Sequence, residues 1–352
     1  MNKNIVFGNH CINEQSSVFC IGELSCNHLQ NHDLAMKTID SMIESGADCV
    51  KMQIFDIDKM TLDCTKPDFV ISGGTLWDDR TFYSLYKETF TPWEWFGPII
   101  EYVESKGVEF LASVFDKPSV DFMEELGAKA YKIASFEITD IPLIRYVASK
   151  QKPLIISTGI AYDDDIKLAI EACMKEGNDQ IILLKCTSEY PALLEDVNLK
   201  QMTRISKDYD CIVGVSDHTL GDIVATGACA LGGKVVEKHF ILDRSLGGPD
   251  SEFSMEPSEF KNMVNRIRNV EKILGSETPS MSEKNKNSRN FSRSLYVAKD
   301  MKAGDVINFN NVMSVRPGYG LHPKYLEQLI GRKVNQNIEK GTRFSLDFVD
   351  NN

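Results

Sequence analysis

The sequence predicts an α/β fold, a TIM (βα)8 barrel followed by a small β-rich module, and three observations predict it. Short β-branched apolar runs alternate with amphipathic helical stretches over the first 275 residues, and eight such runs occur. Eight strands in that length fit a closed barrel better than an open doubly wound sheet, and no GxGxxG follows the first strand. The composition then changes near residue 276, which indicates a second domain.

The predicted strands are apolar runs of the kind that parallel pairing buries on both faces. They are residues 18–24, 48–54, 109–114, 129–134, 153–158, 180–186, 211–216 and 234–240. Several of the clearest helices begin with an Asp, Asn or Pro suited to a first turn. The clearest predicted helices are residues 31–45, 92–106, 140–150, 163–176 and 256–274. Helices between successive strands predict that all pairing is parallel.

Three segments follow from the change in composition. Residues 1–275 form the predicted barrel, residues 276–291 are polar and contain Pro279 as a linker would, and residues 292–352 form the β-rich module. From residue 285 onward there are 11 basic and 6 acidic side chains, against 28 basic and 45 acidic ones before it. A small basic tail on an acidic barrel predicts a homodimer in which the tail docks on the partner.

Overall charge and cysteine usage exclude several classes of protein. A formal charge of −12 argues against nucleic acid or an anionic membrane surface as the partner. No run approaches the ~20 apolar residues of a membrane span, and the first 15 residues hold no apolar run suited to a signal peptide. Nine cysteines without CxxC spacing predict buried thiols in a cytoplasmic protein. Those in apolar stretches are Cys49, Cys173, Cys186, Cys211 and Cys229.

One connection is too long for a plain barrel. About 37 residues, 55–91, lie between the second strand and the helix at Pro92. A loop of this size at the C-terminal face is more often a functional lid than a decorative hairpin, which is the alternative. Its aromatic residues either staple the insertion to the barrel or stack on a sugar ring. They are Trp77, Tyr83 and Tyr86, with Trp93 and Trp95 just beyond.

Cationic side chains recur at the C-terminal ends of the predicted strands, where the active sites of barrels lie. Lys51, Lys132 and Lys185 would line the mouth of the barrel beside the turn Ser157-Thr158-Gly159. Ammonium groups, hydroxyls and backbone N–H groups bind phosphate, so these strand ends predict an anion site. Two alternatives remain: the lysines pair with Glu23 or Glu237, or Lys185 is the Schiff-base nucleophile of an aldolase.

A pair of histidines follows the last two strands of the barrel. Neighbouring strands lie ~4.8 Å apart, so His218 and His239 can share one cation. Imidazole suits Mn, Zn, Fe or Co, and two protein ligands leave positions for water and substrate. The alternative is a pair of satisfied core histidines. His28 follows the first strand and could reach the mouth, whereas Cys186 has no His neighbour in the sequence and is predicted to pack.

A series of strings carries a resemblance to a known family. IGELSCNH, KMQIF, YKIASFE, ISTG, LLKCTSEYP, GVSDHTLG, EKHFILDR and GGPDSEFSMEP, in this order, resemble the sialic acid synthase family, and SRSLYVAKDMKAG with RPGYGL resembles its antifreeze-like (SAF) domain. The segment GGTLWDDRTFYSLYKETFTPWEW resembles the branch that makes pseudaminic acid rather than N-acetylneuraminic or legionaminic acid. The resemblance implies that phosphoenolpyruvate condenses with 2,4-diacetamido-2,4,6-trideoxy-altrose, giving a nine-carbon 2-keto acid and phosphate.

The resemblance also implies roles for individual residues. His218 and His239 would hold a divalent cation, Mn, Mg or Co. Phosphoenolpyruvate would contact Lys51, Ser113, Lys132, Ser135, Ser157, Ser216 and the backbone near Gly159. The sugar would contact Glu23, Gln53, Ser188, Tyr190, Asp250 and Arg316, the last reaching into the partner subunit's site in a domain-exchanged homodimer. The catalytic set would be Glu23, Lys51, Lys132 and Glu237, with Glu237 as the candidate for proton transfer.

Two positions depart from the family pattern. Ser188 stands where some members have Asn, and Tyr319 lies between the two glycines of RPGYG. Both could touch an N-acetyl group of the sugar. A non-catalytic sugar-binding protein is the alternative of a different class, but binding alone requires neither a pair of metal ligands nor a phosphate site.

Overall fold

A computed structural model describes residues 1–276, 278 and 280–350. The chain forms two compact units, Met1–Gly275 and Ser276–Asn352. The first unit begins with a short antiparallel hairpin of β1 (Ile5–Phe7) and β2 (His10–Ile12), which the sequence analysis does not predict. Ile5, Phe7 and Ile12 are buried in one apolar cluster with barrel residues such as Ile21. The hairpin therefore seals one end of the barrel interior.

Eight parallel strands close into a barrel, which confirms the predicted fold. The strands are β3 (Phe19–Glu23), β4 (Cys49–Ile54), β5 (Glu109–Val114), β6 (Tyr131–Ile133), β7 (Leu154–Ser157), β8 (Ile181–Cys186), β9 (Ile212–Asp217) and β10 (Val235–His239). Each pairs with the next along the chain, and β10 pairs with β3 to complete the ring. All eight overlap the predicted runs, and β6 is the most shortened because only its central three residues keep the ladder.

Ten helices accompany these strands. They are α1 (His32–Glu44), α2 (Ile57–Met60), α3 (Phe82–Thr89), α4 (Phe96–Ser105), α5 (Lys117–Glu125), α6 (Ile141–Ala148), α7 (Asp163–Lys175), α8 (Lys200–Tyr209), α9 (Ile223–Ala230) and α10 (Pro257–Leu274). The caps follow the sequence signals: Asn31, Asp116 and Asp140 each accept a backbone N–H of the first turn of α1, α5 and α6. The predicted helix at 92–106 begins with a 3-10 turn, Trp93–Trp95.

Alternation along the strands decides which side chains enter the barrel. On β9 and β10, Ser216 and Glu237 face inward, whereas Asp217 and Lys238 face outward and form a buried ion pair of 2.8 Å. His239 is opposite Glu23 in the register of β10 and β3, so both point to the same interior. The upper part of the interior is therefore polar, in contrast to the apolar cluster sealed by the hairpin.

The second unit is small and β-rich, as predicted. Residues 276–291, predicted as a linker, include α11 (Glu283–Ser288). β11 (Ser294–Val297) and β12 (Val312–Val315) pair antiparallel, and α12 (Leu326–Leu329) follows. Their core is one apolar cluster that includes Leu295, Val312 and Phe344.

The state of the cysteines agrees with the expectation of buried thiols. All nine cysteines are free, and seven of them are buried. Within the described part of the chain, none of the helices has both the length and the apolar character that crossing a bilayer requires.

Candidate active site

A cavity of about 570 Å³ lies at the C-terminal ends of the barrel strands. This size is typical of sites that enclose small molecules. Twelve of the predicted site residues line it: Lys51, Gln53, Ser113, Lys132, Ser135, Ser157, Tyr190, Ser216, His218, Glu237, His239 and Asp250. These side chains therefore lie together at the C-terminal end of the barrel, where the active sites of such barrels are found.

Lys51 is the centre of a buried ion triad at the base of this cavity. Its Nζ contacts Glu23 Oε2 and lies 3.0 Å from Glu237 Oε1, and all three side chains are at most 4% exposed. Burial lowers the pKa of Lys51 to about 8, although Glu237 opposes that shift. Burial alone would raise the pKa of Glu237, but Lys132 and Lys51 hold it below the usual range. Lys51 therefore pairs with Glu23 and Glu237, which is one of the alternatives stated in the sequence analysis, and this pairing lies inside the predicted site.

Glu237 is tied to the neighbouring strand as well. Ser216 Oγ donates to its Oε1 at 3.1 Å. Its second oxygen, Oε2, is buried and lacks a hydrogen-bond partner among the described residues. A buried acceptor without a partner is costly, so this oxygen is available to a donor from a ligand.

The second lysine is surrounded by hydroxyls. Lys132 Nζ donates to Ser157 Oγ at 2.7 Å and to the carbonyl of Ile133 at 2.9 Å. Ser113 Oγ, on the adjacent strand, is buried and has no partner among the residues that the structure describes. A cation beside hydroxyls that can still donate is the arrangement that suits an anionic oxygen.

Gly159 behaves differently from the expectation. Its N–H donates to Ser135 Oγ at 3.1 Å rather than facing the cavity as a free donor. A Cβ at this position would collide with Ser188 Oγ and Ser135 Oγ, so a larger residue would force these hydroxyls to move. Ser188 itself lies behind the cavity wall, with its Oγ 3.7 Å from Cys186 Sγ. Gly159 and Ser188 therefore do not line the cavity but contact Ser135 and Cys186, which do.

The two histidines are neighbours, as the strand spacing predicts. Their ring centroids are 5.2 Å apart. His218 Nδ1 lies 2.9 Å from the carbonyl of Thr187, which orients the ring and leaves Nε2 as the acceptor nitrogen. Burial, together with His218 and Lys51, lowers the pKa of His239 well below its ordinary value. His239 Nδ1 is buried without a hydrogen-bond partner in the described chain.

The residues predicted to contact a sugar form one network beside the histidines. Gln53 Nε2 donates to Glu23 Oε1 at 3.2 Å and to Ser25 Oγ at 3.0 Å. Ser25 Oγ in turn donates to Asp250, whose pKa is raised because it is buried. The ring of Tyr190 packs on His218 with centroids 4.4 Å apart. This network orders several acceptors next to the histidine pair.

The insertion walls the opposite side of the cavity. It contains α2, α3, a 3-10 turn at Pro67–Phe69 and a single antiparallel bridge between Val70 and Thr81. Trp77 and Tyr86 line the cavity, and the indole N–H of Trp77 donates to the carbonyl of Pro249 at 3.2 Å. Trp93 and Trp95 instead pack on Phe122 and on His28, away from it. Trp93 and Trp95 therefore attach the insertion to the barrel, which was one predicted role, whereas stacking of Trp77 or Tyr86 on a sugar ring stays a prediction.

Two expectations are wrong, and a third is incomplete. Lys185 points outward from β8, where its Nζ donates to Thr187 Oγ1, and it does not line the cavity. This removes the geometric basis of the Schiff-base reading. His28 is buried against Thr91 and does not reach the mouth. Cys186 is buried, as predicted, but it has a His neighbour in the fold: its Sγ lies 3.8 Å from His218 Nδ1, and against the effect of burial this imidazole lowers the thiol pKa to about 7.

Some cavity residues escape the sequence analysis. Glu137 lines the cavity, its Oε2 has no partner within the described residues, and burial raises its pKa to about 7. It closes the string YKIASFE, so its place after a strand end could have revealed it. Ser25 and Cys26 follow β3 in the same manner. Arg316 belongs to the second unit, just after β12.

Comparison with known proteins agrees with this architecture. The model of the NeuB family matches residues 38–279, and that of the SAF domain matches residues 292–349. The chain is 42% identical over 329 residues to a pseudaminic acid synthase of Campylobacter jejuni subsp. jejuni (strain 81-176), covering 94% of this chain and 96% of the relative. It is 36% identical over 337 residues to an N,N'-diacetyllegionaminic acid synthase of Legionella pneumophila, covering 94% of each.

A solved structure shows the same likeness. The crystal structure of N-acetylneuraminic acid (sialic acid) synthetase from Leptospira borgpetersenii, in complex with citrate, matches with a TM-score of 0.73 and 28% identity. The match covers 82% of this chain and 95% of that chain. The matched residues of the family model contain every strand end of the cavity except that of β3. The chain therefore belongs to the NeuB family of synthases and carries a C-terminal SAF domain.

Proposed function

We propose that this enzyme condenses phosphoenolpyruvate with the open aldehyde form of 2,4-diacetamido-2,4,6-trideoxy-altrose and so makes pseudaminic acid. One observation carries the proposal: two lysines, four serines and two histidines meet in one cavity at the strand ends. The 42% identity to a pseudaminic acid synthase favours this sugar over the others that the family uses. Legionaminic acid synthesis is the second candidate, because a relative with that name is 36% identical.

Phosphoenolpyruvate would bind at the Lys51 and Lys132 side of the cavity. The two ammonium groups oppose the negative charge of phosphate and carboxylate, and Ser113, Ser135 and Ser157 offer hydroxyls beside them. The charge of −12 does not exclude this anion, since the groups nearest to it set the potential in a buried site, and Lys132 is a cation there beside the hydroxyl of Ser157. These contacts would orient the enol carbon toward the second substrate.

His218 and His239 fit a divalent cation. The buried Nδ1 of His239 is without a partner among the described residues, and the hydrogen bond from His218 to Thr187 leaves its other nitrogen free to ligate. No three His, Cys, Asp or Glu side chains of the described chain converge on one metal position, so water and substrate oxygens would complete the shell. When bound, Mn, Mg or Co would supply Lewis acidity to the aldehyde oxygen.

The reaction would proceed in two parts. The enol carbon of phosphoenolpyruvate forms a bond to the aldehyde carbon, whose oxygen takes up a proton and becomes a hydroxyl. Water then adds to the resulting cationic carbon, and the C–O bond to phosphate breaks, leaving the 2-keto acid and inorganic phosphate. Glu237 and Glu23, held by Lys51, are the carboxylates placed to move a proton to or from the reacting atoms.

The sugar would lie against the network of Gln53, Ser25 and Asp250, with Tyr190 at its edge. Ser188 would act through its contact with Cys186. We extend the proposal to a homodimer in which Arg316 of the partner subunit reaches the sugar. Its basis is the RPG string and the basic tail, and a substitution of Arg316 would then raise KM for the sugar.

A phosphate-release assay tests the proposal. Purified full-length protein receives phosphoenolpyruvate with one of three acetamido sugars, the diacetamido-trideoxy altrose, its legionaminic-acid counterpart or N-acetylmannosamine, with and without a chelator. The altrose derivative is expected to give the highest kcat/KM, and the chelator is expected to abolish turnover. Faster reaction with N-acetylmannosamine would overturn the pseudaminic assignment, and phosphate release that ignores the chelator would overturn the metal assignment.

Removal of either imidazole sharpens the test. His218→Ala or His239→Ala is expected to lower turnover at least about 100-fold, and to lower turnover more than stability, because each removes a proposed ligand as well as a buried ring that packs against aromatic neighbours. His32→Ala is the matched control, since that side chain is exposed at the start of α1. Turnover equal to that of the wild type in His218→Ala or His239→Ala would overturn the metal assignment.

A further inference from the structure

The two sides of the cavity differ in chemistry. The strand ends and the loops that follow them carry the charged groups, whereas the insertion side is mostly apolar, with Ser72, Thr75 and Thr89 as its hydroxyl residues. The insertion contributes Phe55, Met60, Ile71, Trp77, Phe82, Leu85 and Tyr86, and the strand-end loops add Phe115 and Phe136. We call these nine residues the insertion wall.

Ring packing makes much of the insertion wall a continuous surface. Phe55 meets Tyr86 and Phe115 edge-on, with both centroid distances 5.7 Å, and Phe82 stacks on Tyr86 at 6.2 Å. Leu85 and Ile71 are buried behind or beside them, each 7% exposed. Rings that support one another in this way hold their positions when a ligand arrives.

Three polar groups of the insertion are bonded within the protein, whereas Glu137, beside Phe136 at the border of the insertion wall, keeps an unpartnered Oε2 among the described residues. The Trp77 indole N–H donates to Pro249, Thr75 Oγ1 donates to Asp78 at 2.7 Å, and Thr89 Oγ1 donates to the carbonyl of Leu85 at 3.1 Å. If a ligand placed a hydroxyl against the rings of this wall, the hydroxyl would lose its hydrogen bonds to water and form few new ones. A methyl group in the same place would be favoured.

We propose that the insertion wall determines specificity by binding the methyl groups of the sugar, so that it selects a 6-deoxy acetamido sugar over one with a 6-hydroxyl. This proposal rests on the proposed function. The aldehyde end of the sugar must lie at the histidines and lysines for the condensation, which leaves its far end, C4 to C6, for the opposite side of the cavity. There the insertion wall meets the C6 methyl and the methyl of the 4-acetamido group.

The first measurement compares two substrates that differ by one oxygen. The wild-type protein receives 2,4-diacetamido-2,4,6-trideoxy-altrose or the same sugar with a hydroxyl at C6, each with phosphoenolpyruvate. An apolar site discriminates against an added hydroxyl by about 10- to 100-fold, so this ratio of kcat/KM is expected. Equal kcat/KM for the two sugars would overturn the inference and leave the proposed function standing.

The second measurement changes the wall itself. Met60→Gln keeps the length of the side chain and adds hydrogen-bonding groups, so it is expected to reduce the 6-deoxy preference about 10-fold. Met60→Leu keeps the wall apolar and should preserve the preference. Leu62→Gln is the matched control, because Leu62 lies two residues along the same insertion, is 62% exposed and does not line the cavity.

The outcomes separate the two proposals. If Met60→Gln shifts the ratio and Leu62→Gln does not, the insertion wall determines specificity. If Met60→Gln and Leu62→Gln leave the same ratio as the wild type, the wall is not the determinant, although turnover of the acetamido sugar continues. If no acetamido sugar releases phosphate from phosphoenolpyruvate in any variant, the proposed function itself fails.

Discussion

One cavity is bounded by two walls that the chain builds in different ways. The strand-end wall carries buried charges on adjacent parallel strands, where the backbone ladder holds Lys51, Glu23 and Glu237 in place. The insertion wall is a set of aromatic and aliphatic side chains, seven of them on short helices and loops between β4 and α4 and two, Phe115 and Phe136, on loops after β5 and β6. If the proposed function holds, the reacting atoms contact side chains on the rigid barrel, whereas the shape of the sugar is recognised by a segment outside the barrel strands.

The largest expected effect comes from breaking the strand-end wall. Lys51→Met removes the cation between two buried carboxylates, which is expected to lower the free energy of unfolding by about 3–5 kcal/mol at neutral pH. Turnover should fall at least about 100-fold, since the residue is also proposed to bind phosphoenolpyruvate. Urea unfolding and the phosphate-release assay measure the two effects.

A second substitution distinguishes charge from packing at this position. In the double variant Lys51→Met with Glu237→Gln, one of the two unpaired carboxylates is gone, so part of the lost stability should return while turnover stays low. Lys185→Met is the matched control, because that lysine faces away from the cavity. If the double variant were as unstable as the single one, the charge of Glu237 would not be the cause.

A smaller effect is expected from Glu137, which lines the cavity and follows Phe136 of the insertion wall in the sequence. Burial raises its pKa to about 7 from the ordinary 4.5, so its contribution to stability is fully present below pH 4.5 and is lost as the pH rises through 7. The unfolding free energy of the wild type should therefore fall by up to about 3 kcal/mol between pH 5 and pH 8 on account of this group, at about 1.4 kcal/mol per pKa unit. Glu137→Gln should flatten that dependence.

The control for this pH dependence is an exposed glutamate. Glu101 lies on the solvent side of α4, so Glu101→Gln should leave the slope of stability against pH as it is in the wild type. Urea unfolding at pH 5 and pH 8 compares the three proteins. A slope that Glu137→Gln leaves unchanged would mean that this carboxyl titrates near its ordinary value in the folded protein.

The sequence predicts the barrel and the strand-end wall because both follow from local periodicity. Apolar runs locate the eight strands, and the polar residue at each C-terminal end then points to the mouth by alternation. The error with Lys185 shows the limit of this rule. Leu184 and Cys186 face inward on β8, so the lysine between them must face outward, because side chains alternate along a strand. The prediction that Lys185 lines the mouth did not take this alternation into account.

The insertion wall and the neighbours of the histidines depend on tertiary structure. Nothing in the local pattern distinguishes Tyr86, which lines the cavity, from Tyr83, whose hydroxyl instead donates to Asp58 at 3.2 Å. Cys186 and His218 are 32 residues apart in sequence and meet only because β8 and β9 pair in a particular register. Side chains from loops and cross-strand neighbours therefore require the fold before they can be named.

The smallest expected effect separates anchoring from recognition within the insertion. Trp77 and Trp93 each donate an indole N–H to a carbonyl at 3.2 Å, from Trp77 to Pro249 and from Trp93 to Phe55. Replacing either tryptophan by phenylalanine should cost about 1 kcal/mol of unfolding free energy. Only Trp77 lines the cavity, beside Tyr190, so only Trp77→Phe should also raise KM for the sugar. If Trp93→Phe raised KM as much, the carbonyl of Phe55 that it holds would position the wall, and the two tryptophans would serve recognition alike.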